Sequence, residues 1–162
     1  MRRQLLPTLA ACLGLMSGTA FGTTTTTTFP VQMTITASCV VNSASTLNFG
    51  SQGVLANAVN ATSTIQVQCT NTTPYDIGLD AGIATGATVT TRKMTNAGNT
   101  ISYSLYSNAG MTTNWGNTVG TDTVSATGNG AAQSYTVFGQ VPAQSTPAPA
   151  AYTDTITVTV TY

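Results

Sequence analysis

The sequence predicts an all-β protein, an antiparallel β-sandwich. Three observations carry that expectation. Apolar residues recur at every second position in one run after another, no stretch shows helical periodicity, and short segments rich in Gly, Asn, Pro and Ser separate the runs. Strict alternation is what a strand with one buried face produces. Many short strands with regular turn signals pack as two facing sheets.

Taken in order, residues 1–22 read as a secretory signal peptide. Arg2 and Arg3 are the basic start, Leu5 to Met16 is an apolar stretch too short to span a bilayer, and Ala20-Phe21-Gly22 precedes the cut. Leu9-Ala10-Ala11-Cys12 is the competing pattern, a lipoprotein cleavage site with Cys12 as the lipidated residue. Removing the signal leaves 162 − 22 = 140 residues, the size of one domain with a real core. The boundaries expected are an N-terminal extension with a threonine leader over 23–36 and a sandwich domain over 37–162.

After six threonines, Phe29, Val31, Met33, Ile35 and Ala37 alternate with Pro30, Gln32, Thr34, Thr36 and Ser38. By periodicity alone this row reads as the domain's own first strand. Leu47 and Phe49 suggest a short strand ended by Gly50. Ile65, Val67 and Cys69, then Tyr75, Ile77 and Leu79, then Ile101, Tyr103 and Leu105 give three more strands. Tyr135, Val137, Gly139 and Val141 give another, stopped by Pro142. The last run is the clearest strand of all: Tyr152, Asp154, Ile156, Val158, Val160 and Tyr162 alternate with threonines, which suit a solvent-facing side. Turns are expected at 42–46, 95–100, 108–117 and 127–130. Arg92-Lys93 reads as a solvated turn, and Trp115 as core or turn packing.

Composition removes several function classes. Beyond the signal only Arg92, Lys93, Asp76, Asp80, Asp122 and Asp154 are charged, a net charge of 2 − 4 = −2. That excludes the basic footprint of a nucleic-acid binder. The chain has no His and no Glu, so the usual catalytic bases are missing and no enzyme is expected. No cofactor and no small-molecule substrate is expected either, and Asp76 with Asp80 is too sparse for a calcium site. Cys39 and Cys69, the remaining pair in an exported chain, are expected to form a disulfide. It would close a loop of about 30 residues, worth roughly 3.5 kcal/mol. Asn60-Ala61-Thr62 and Asn71-Thr72-Thr73 fit glycosylation sequons, a frequent match in so Thr- and Asn-rich a chain.

The run into Cys39 begins a longer set of motifs. Leu47-Asn48-Phe49-Gly50, Cys69-Thr70, and Pro74-Tyr75 leading to Gly82 come first. Arg92-Lys93-Met94, Tyr103-Ser104-Leu105-Tyr106 and Trp115-Gly116 follow, and Phe138-Gly139-Gln140-Val141-Pro142 and Tyr152-Thr153-Asp154-Thr155 close the set. Together and in this order they resemble the spore coat protein U domain, the subunit type of archaic (Csu-type) chaperone–usher pili. Ala151 and Gln140 depart from the residues that family commonly shows.

The resemblance implies an immunoglobulin-like sandwich of pilin type, lacking its last strand and completed by a donated one. It implies a periplasmic chaperone, an outer-membrane usher and other pilus subunits as partners, with passage through the periplasm to a surface pilus serving adhesion and biofilm formation. The donated residues would be Phe29, Val31, Met33 and Ile35, and Tyr152 to Tyr162 would be the closing strand beside the uncovered edge. Two other readings remain: a self-complete secreted coat or envelope protein, and a surface adhesin module of the same fold.

Overall fold

A computed structural model describes residues 21–162. The signal-peptide and Cys12 lipidation readings fall on residues 1–20, outside the described ones, apart from Phe21 and Gly22. The chain divides into two units, Met1–Thr34 and Ile35–Tyr162. In the first, residues 21–34 carry no regular secondary structure and their side chains are exposed.

The second unit is built of eight strands: β1 (Cys39–Ala44), β2 (Val59–Cys69), β3 (Pro74–Leu79), β4 (Arg92–Asn96), β5 (Asn99–Tyr106), β6 (Val124–Thr127), β7 (Ala132–Val141) and β8 (Val158–Thr161). They form a five-stranded sheet in the order β1-β2-β7-β5-β4 and a three-stranded sheet in the order β6-β3-β8. Every pairing is antiparallel. The β2–β7 ladder is the longest and sets the frame: Ile65 faces Tyr135, Val67 faces Gln133 and Ser63 faces Val137. One such row points inward from each of β2, β3, β5 and β7, and Ile65, Val67, Ile77, Leu79, Leu105, Val137 and Val141 meet in a single core. Trp115 is buried in that core, where its indole N–H donates to the Ile77 carbonyl at 2.8 Å. That hydrogen bond satisfies the polar end of an otherwise apolar side chain.

Four local readings of the sequence are corrected. Arg92 is no solvated turn: it opens β4, is fully buried, and donates to four backbone carbonyls, those of Asp80, Val89, Leu79 and Trp115, at 2.6–2.9 Å. Loop ends leave carbonyls unpaired, and a five-donor guanidinium can gather several of them without exposing its charge. Burial pushes the guanidinium's pKa down, while Tyr103 and the carboxylates of Asp80, Asp122 and Asp154 push the other way. The turn expected at 42–46 is instead the end of β1, which pairs with β2 as far as Ala44, whereas the turn expected at 95–100 is present in the β4–β5 hairpin at Ala97-Gly98, both left-handed with φ of 46° and 86°. Leu47 and Phe49 lie in no strand, although both pack against the core.

The fourth correction concerns the closing run. Of Tyr152 to Tyr162, only Val158–Thr161 pairs as a strand, on β3, while Thr153 makes an isolated bridge to Thr95 of β4. The segment passes from one sheet to the other between those points, so it cannot keep one ladder throughout.

Candidate functional site: a groove between the sheets

The groove is a product of where the two sheets stop. In the described residues β1 has β2 on one side and nothing on the other, and β8 has β3 on one side and nothing on the other. These two edges, one from each sheet, lie beside each other. Past β1 the chain leaves the ladder after Ser45, whose backbone N–H donates to the Thr64 carbonyl, and runs irregularly to residue 58. That stretch forms one wall. The opposite wall is the connector 146–151 and the sheet-crossing run 152–158.

Between the walls lie two cavities of about 730 and 550 Å³. The larger is floored by Leu55, Val59, Met94, Ile101 and Val141. The smaller is floored by Ile65, Leu79, Tyr103, Leu105 and Val137. Leu47, Phe49, Met94 and Tyr152 border both. The floor is therefore the core itself, reached from outside.

Gly139 explains how Leu47 and Phe49 can lie down on it. A methyl at that position would come within 2.7 Å of a Leu47 methyl and 3.0 Å of the Phe49 ring. Phe49 then meets Tyr103 edge-on, ring centres 6.2 Å apart. A side chain larger than hydrogen at position 139 would lift this wall off the sheet.

The second wall is held by carboxylates. One Asp154 oxygen accepts the Tyr103 hydroxyl at 2.8 Å, and the other accepts the backbone N–H groups of Ile83 at 2.9 Å and Thr155 at 2.8 Å. Asp80 accepts the backbone N–H of Thr157 at 2.9 Å and that of Gly82 at 3.0 Å. Burial pushes the Asp80 carboxyl up, but the Thr157 and Gly82 hydrogen bonds and the Arg92 charge outweigh it and hold the pKa below the ordinary carboxylate range. The Tyr103 phenol is driven far up, by burial first and then by its bond to Asp154.

The structure distributes the residues singled out in the sequence as follows. Cys39 and Cys69 are bonded to each other and tie the start of β1 to the end of β2, at facing positions of the ladder. Phe29, Val31, Met33 and Ile35 are 80, 85, 86 and 73 % exposed. Tyr152 donates its hydroxyl to the Ala148 carbonyl at 2.8 Å and lines both cavities. Ile156, Val158 and Val160 pack half-buried against the core, and Tyr162 is exposed. Arg92 and Asp80 are the groove-supporting residues that sequence reasoning missed. Three of the four sparse carboxylates, Asp80, Asp122 and Asp154, converge on Arg92, but nothing in their spacing along the sequence shows the convergence.

A two-sheet antiparallel sandwich whose core opens along one side is the build of a pilin-type, immunoglobulin-like domain. The sequence model of the Spore Coat Protein U domain matches residues 25–159. The chain belongs to that family. Among solved structures it is similar to a chain of the CsuC–CsuE chaperone–tip adhesion subunit pre-assembly complex from the archaic chaperone–usher Csu pili of Acinetobacter baumannii. The TM-score is 0.58 at 25 % identity, over 80 % of this chain and 40 % of that one. The chain thus spans less than half the length of that neighbour. No curated protein matches the sequence.

Proposed function

We propose that this chain is a structural subunit of a surface pilus assembled by the chaperone–usher route, with its groove as the acceptor for a donated strand. The observation that carries the reading is the conjunction of two features. A core opens between two unpaired strand edges, and an alternating apolar row, Phe29 to Ile35, is exposed. A strand laid in the groove would hydrogen-bond to one or both edges and place alternate side chains on the floor, which is β-augmentation. Burying three or four of those side chains is worth about 1.5–3 kcal/mol each before the cost of ordering the strand.

In this reading residues 23–36 are the donor extension and 37–162 the acceptor domain. A periplasmic chaperone fills the groove first, and the extension of the next copy or of a related subunit replaces it after passage through the usher. Similarity to a chain of a chaperone–subunit pre-assembly complex from such a pilus supports those partners. The Cys39–Cys69 bond lies where the extension enters the domain, so tension on the extension is delivered to a covalent staple. A head-to-tail contact of this kind does not close, so it propagates as a filament suited to attachment and biofilm formation at the cell surface.

Gel electrophoresis of the secreted chain in SDS, unboiled and boiled and without reductant, tests the proposal. The expected result is a ladder spaced by about one subunit that collapses on boiling. A monomer in both lanes, from correctly exported protein, would sink it.

A further inference from the structure

We propose that the outward face of the five-stranded sheet is a binding surface for a neutral polysaccharide. The inference concerns the face turned away from the groove and does not depend on how the groove is filled. The β2–β7 register puts Thr62 opposite Phe138, and the β5–β7 register puts Tyr106 opposite the same Phe138. With neighbouring strands about 4.8 Å apart, a hydroxyl and two aromatic rings form one continuous row across three strands. Neither ring is serving the core. Val137 and Gly139 on β7 and Leu105 on β5 point inward, so Phe138 and Tyr106 point out, and both are half-buried.

A third apolar group joins them from the loop after β5. Met111 has a left-handed backbone, φ 53°, in a turn where the Asn108 side-chain oxygen accepts the N–H groups of Thr112 and Thr113. Its sulfur accepts a hydrogen bond from the Gln140 amide at 3.3 Å, and the same amide donates to the Asn60 side chain at 3.1 Å. The loop is thus anchored over the face beside the aromatic row. Farther along, the Gln66 amide donates to Ser134 at 3.4 Å. The side-chain oxygen of Gln140 accepts no hydrogen bond among the described residues, which leaves one acceptor next to the rings, and that of Gln66 leaves another, four residues along the strand.

Charge is distributed the other way. Asp80, Asp122 and Asp154 gather around Arg92, and Asp76 is on the outward side of the three-stranded sheet with Thr123 and Ser125. Lys93, at the far margin on β4, is the one charged residue on the outward row of the five-stranded sheet. A pyranose presents a C–H face, which packs on aromatic rings and a thioether, and a rim of hydroxyls, which amides serve as both donors and acceptors. An anionic polymer or a lipid headgroup would instead need a cluster of cations. The chemistry of the face selects an uncharged, polyhydroxylated chain.

The test uses the full secreted chain in whatever assembly state it is recovered. Isothermal titration with cellohexaose and maltoheptaose is compared with polygalacturonate. Saturable binding of at least one neutral oligosaccharide, and weaker or no binding of the anionic one, is the expected result. Phe138→Leu keeps an apolar side chain on the sheet and removes the ring, so binding should weaken by about five-fold or more with the thermal midpoint nearly unchanged. Phe138→Trp should restore it, and Gln140→Ala should weaken binding separately. No binding to either neutral probe, tighter binding of polygalacturonate, or Phe138→Leu binding as well as the native chain would overturn the proposal. So would self-association that Phe138→Leu abolishes in the absence of any sugar, because the face would then belong to a second copy.

Discussion

Residues 29–37 and residues 152–162 carry nearly the same written pattern and sit in opposite surroundings. In the first run Phe29, Val31, Met33 and Ile35 are 73–86 % exposed. In the second, Ile156, Val158 and Val160 rest half-buried on the core while the intervening threonines face out. Two things act on the second run. Its last residues form a ladder with β3, and the two carboxylates of Asp80 and Asp154 fix the run before it. Alternation states that a row needs a cover. It does not state which chain supplies the cover.

The comparison breaks most completely if the first row is not what joins copies. Changing Val31 and Met33 together to Asp puts two charges in the row proposed to enter the groove, and a charge buried without a partner is prohibitive. The expected outcome is total loss of the boiling-sensitive ladder in unboiled gels. Changing Gln32 and Thr34 to Asp, on the other row, should leave the ladder in place. A ladder that survives the first pair would remove the donor-row proposal.

Next in size is the anchor of the second run. Arg92→Ala removes a fully buried side chain and leaves four carbonyls, those of Asp80, Val89, Leu79 and Trp115, without a donor. A loss of about 3–5 kcal/mol is expected, seen as a thermal midpoint lower by about 10 °C or more. Arg92→Lys should recover little, because three rotatable donors on one nitrogen cannot reach carbonyls spread around a planar fork. A midpoint within two or so degrees of the native chain would show that the loop ends hold themselves.

Much of the architecture was legible because burial leaves a period-two trace. The inward rows of β2, β3, β5 and β7 are those read from Ile65, Tyr75, Ile101 and Tyr135 onward. Strands β1, β4 and β6 were not read, because Val40-Val41-Asn42-Ser43, Arg92-Lys93-Met94 and Val124-Ser125-Ala126-Thr127 are too short and too mixed for alternation to stand out. The wall at Leu47 and Phe49 was read as a strand because their spacing is that of one. The missing element is a backbone partner, and pairing is a property of distant residues. The Arg92 node failed for the same reason: its acceptors are carbonyls, which carry no sequence identity. Motif order, by contrast, carried the family, since it samples the whole domain at once.

A smaller contrast separates the rows by stability alone. Ile156→Ala takes methyl groups from a half-buried position on the core, with a cost of about 1–2 kcal/mol, below that of a fully buried site. Ile35→Ala, at 73 % exposure, should cost about 0.5 kcal/mol or less in the unassembled chain. Denaturant midpoints of the two variants, measured before any polymer forms, give the comparison directly. Equal losses would mean that the first row is already covered within one copy, and the difference between the runs would vanish.

The smallest effect concerns acid. Asp80 holds Thr157 and Gly82 through its ionised carboxylate, and its folded-state pKa lies below the ordinary value of about 3.9. A carboxyl depressed by folding contributes stability that is fully present above its unfolded pKa and is lost as pH falls through the folded one. The run 154–157 should therefore loosen as pH drops below about 4, and neutral-to-mildly-acidic conditions should leave it unaffected. Hydrogen exchange at the Thr157 amide, followed against pH in the native chain and in Asp80→Asn, separates this latch from general acid unfolding. The native chain should lose protection at that amide earlier than at Val67, in the middle of the β2–β7 ladder. In Asp80→Asn the Thr157 amide should be less protected at neutral pH and nearly insensitive to acid, since an amide oxygen still accepts but no longer titrates. Equal acid sensitivity in both proteins would mean that the second run owes its place to the β3 ladder, and the carboxylates would drop out of the comparison.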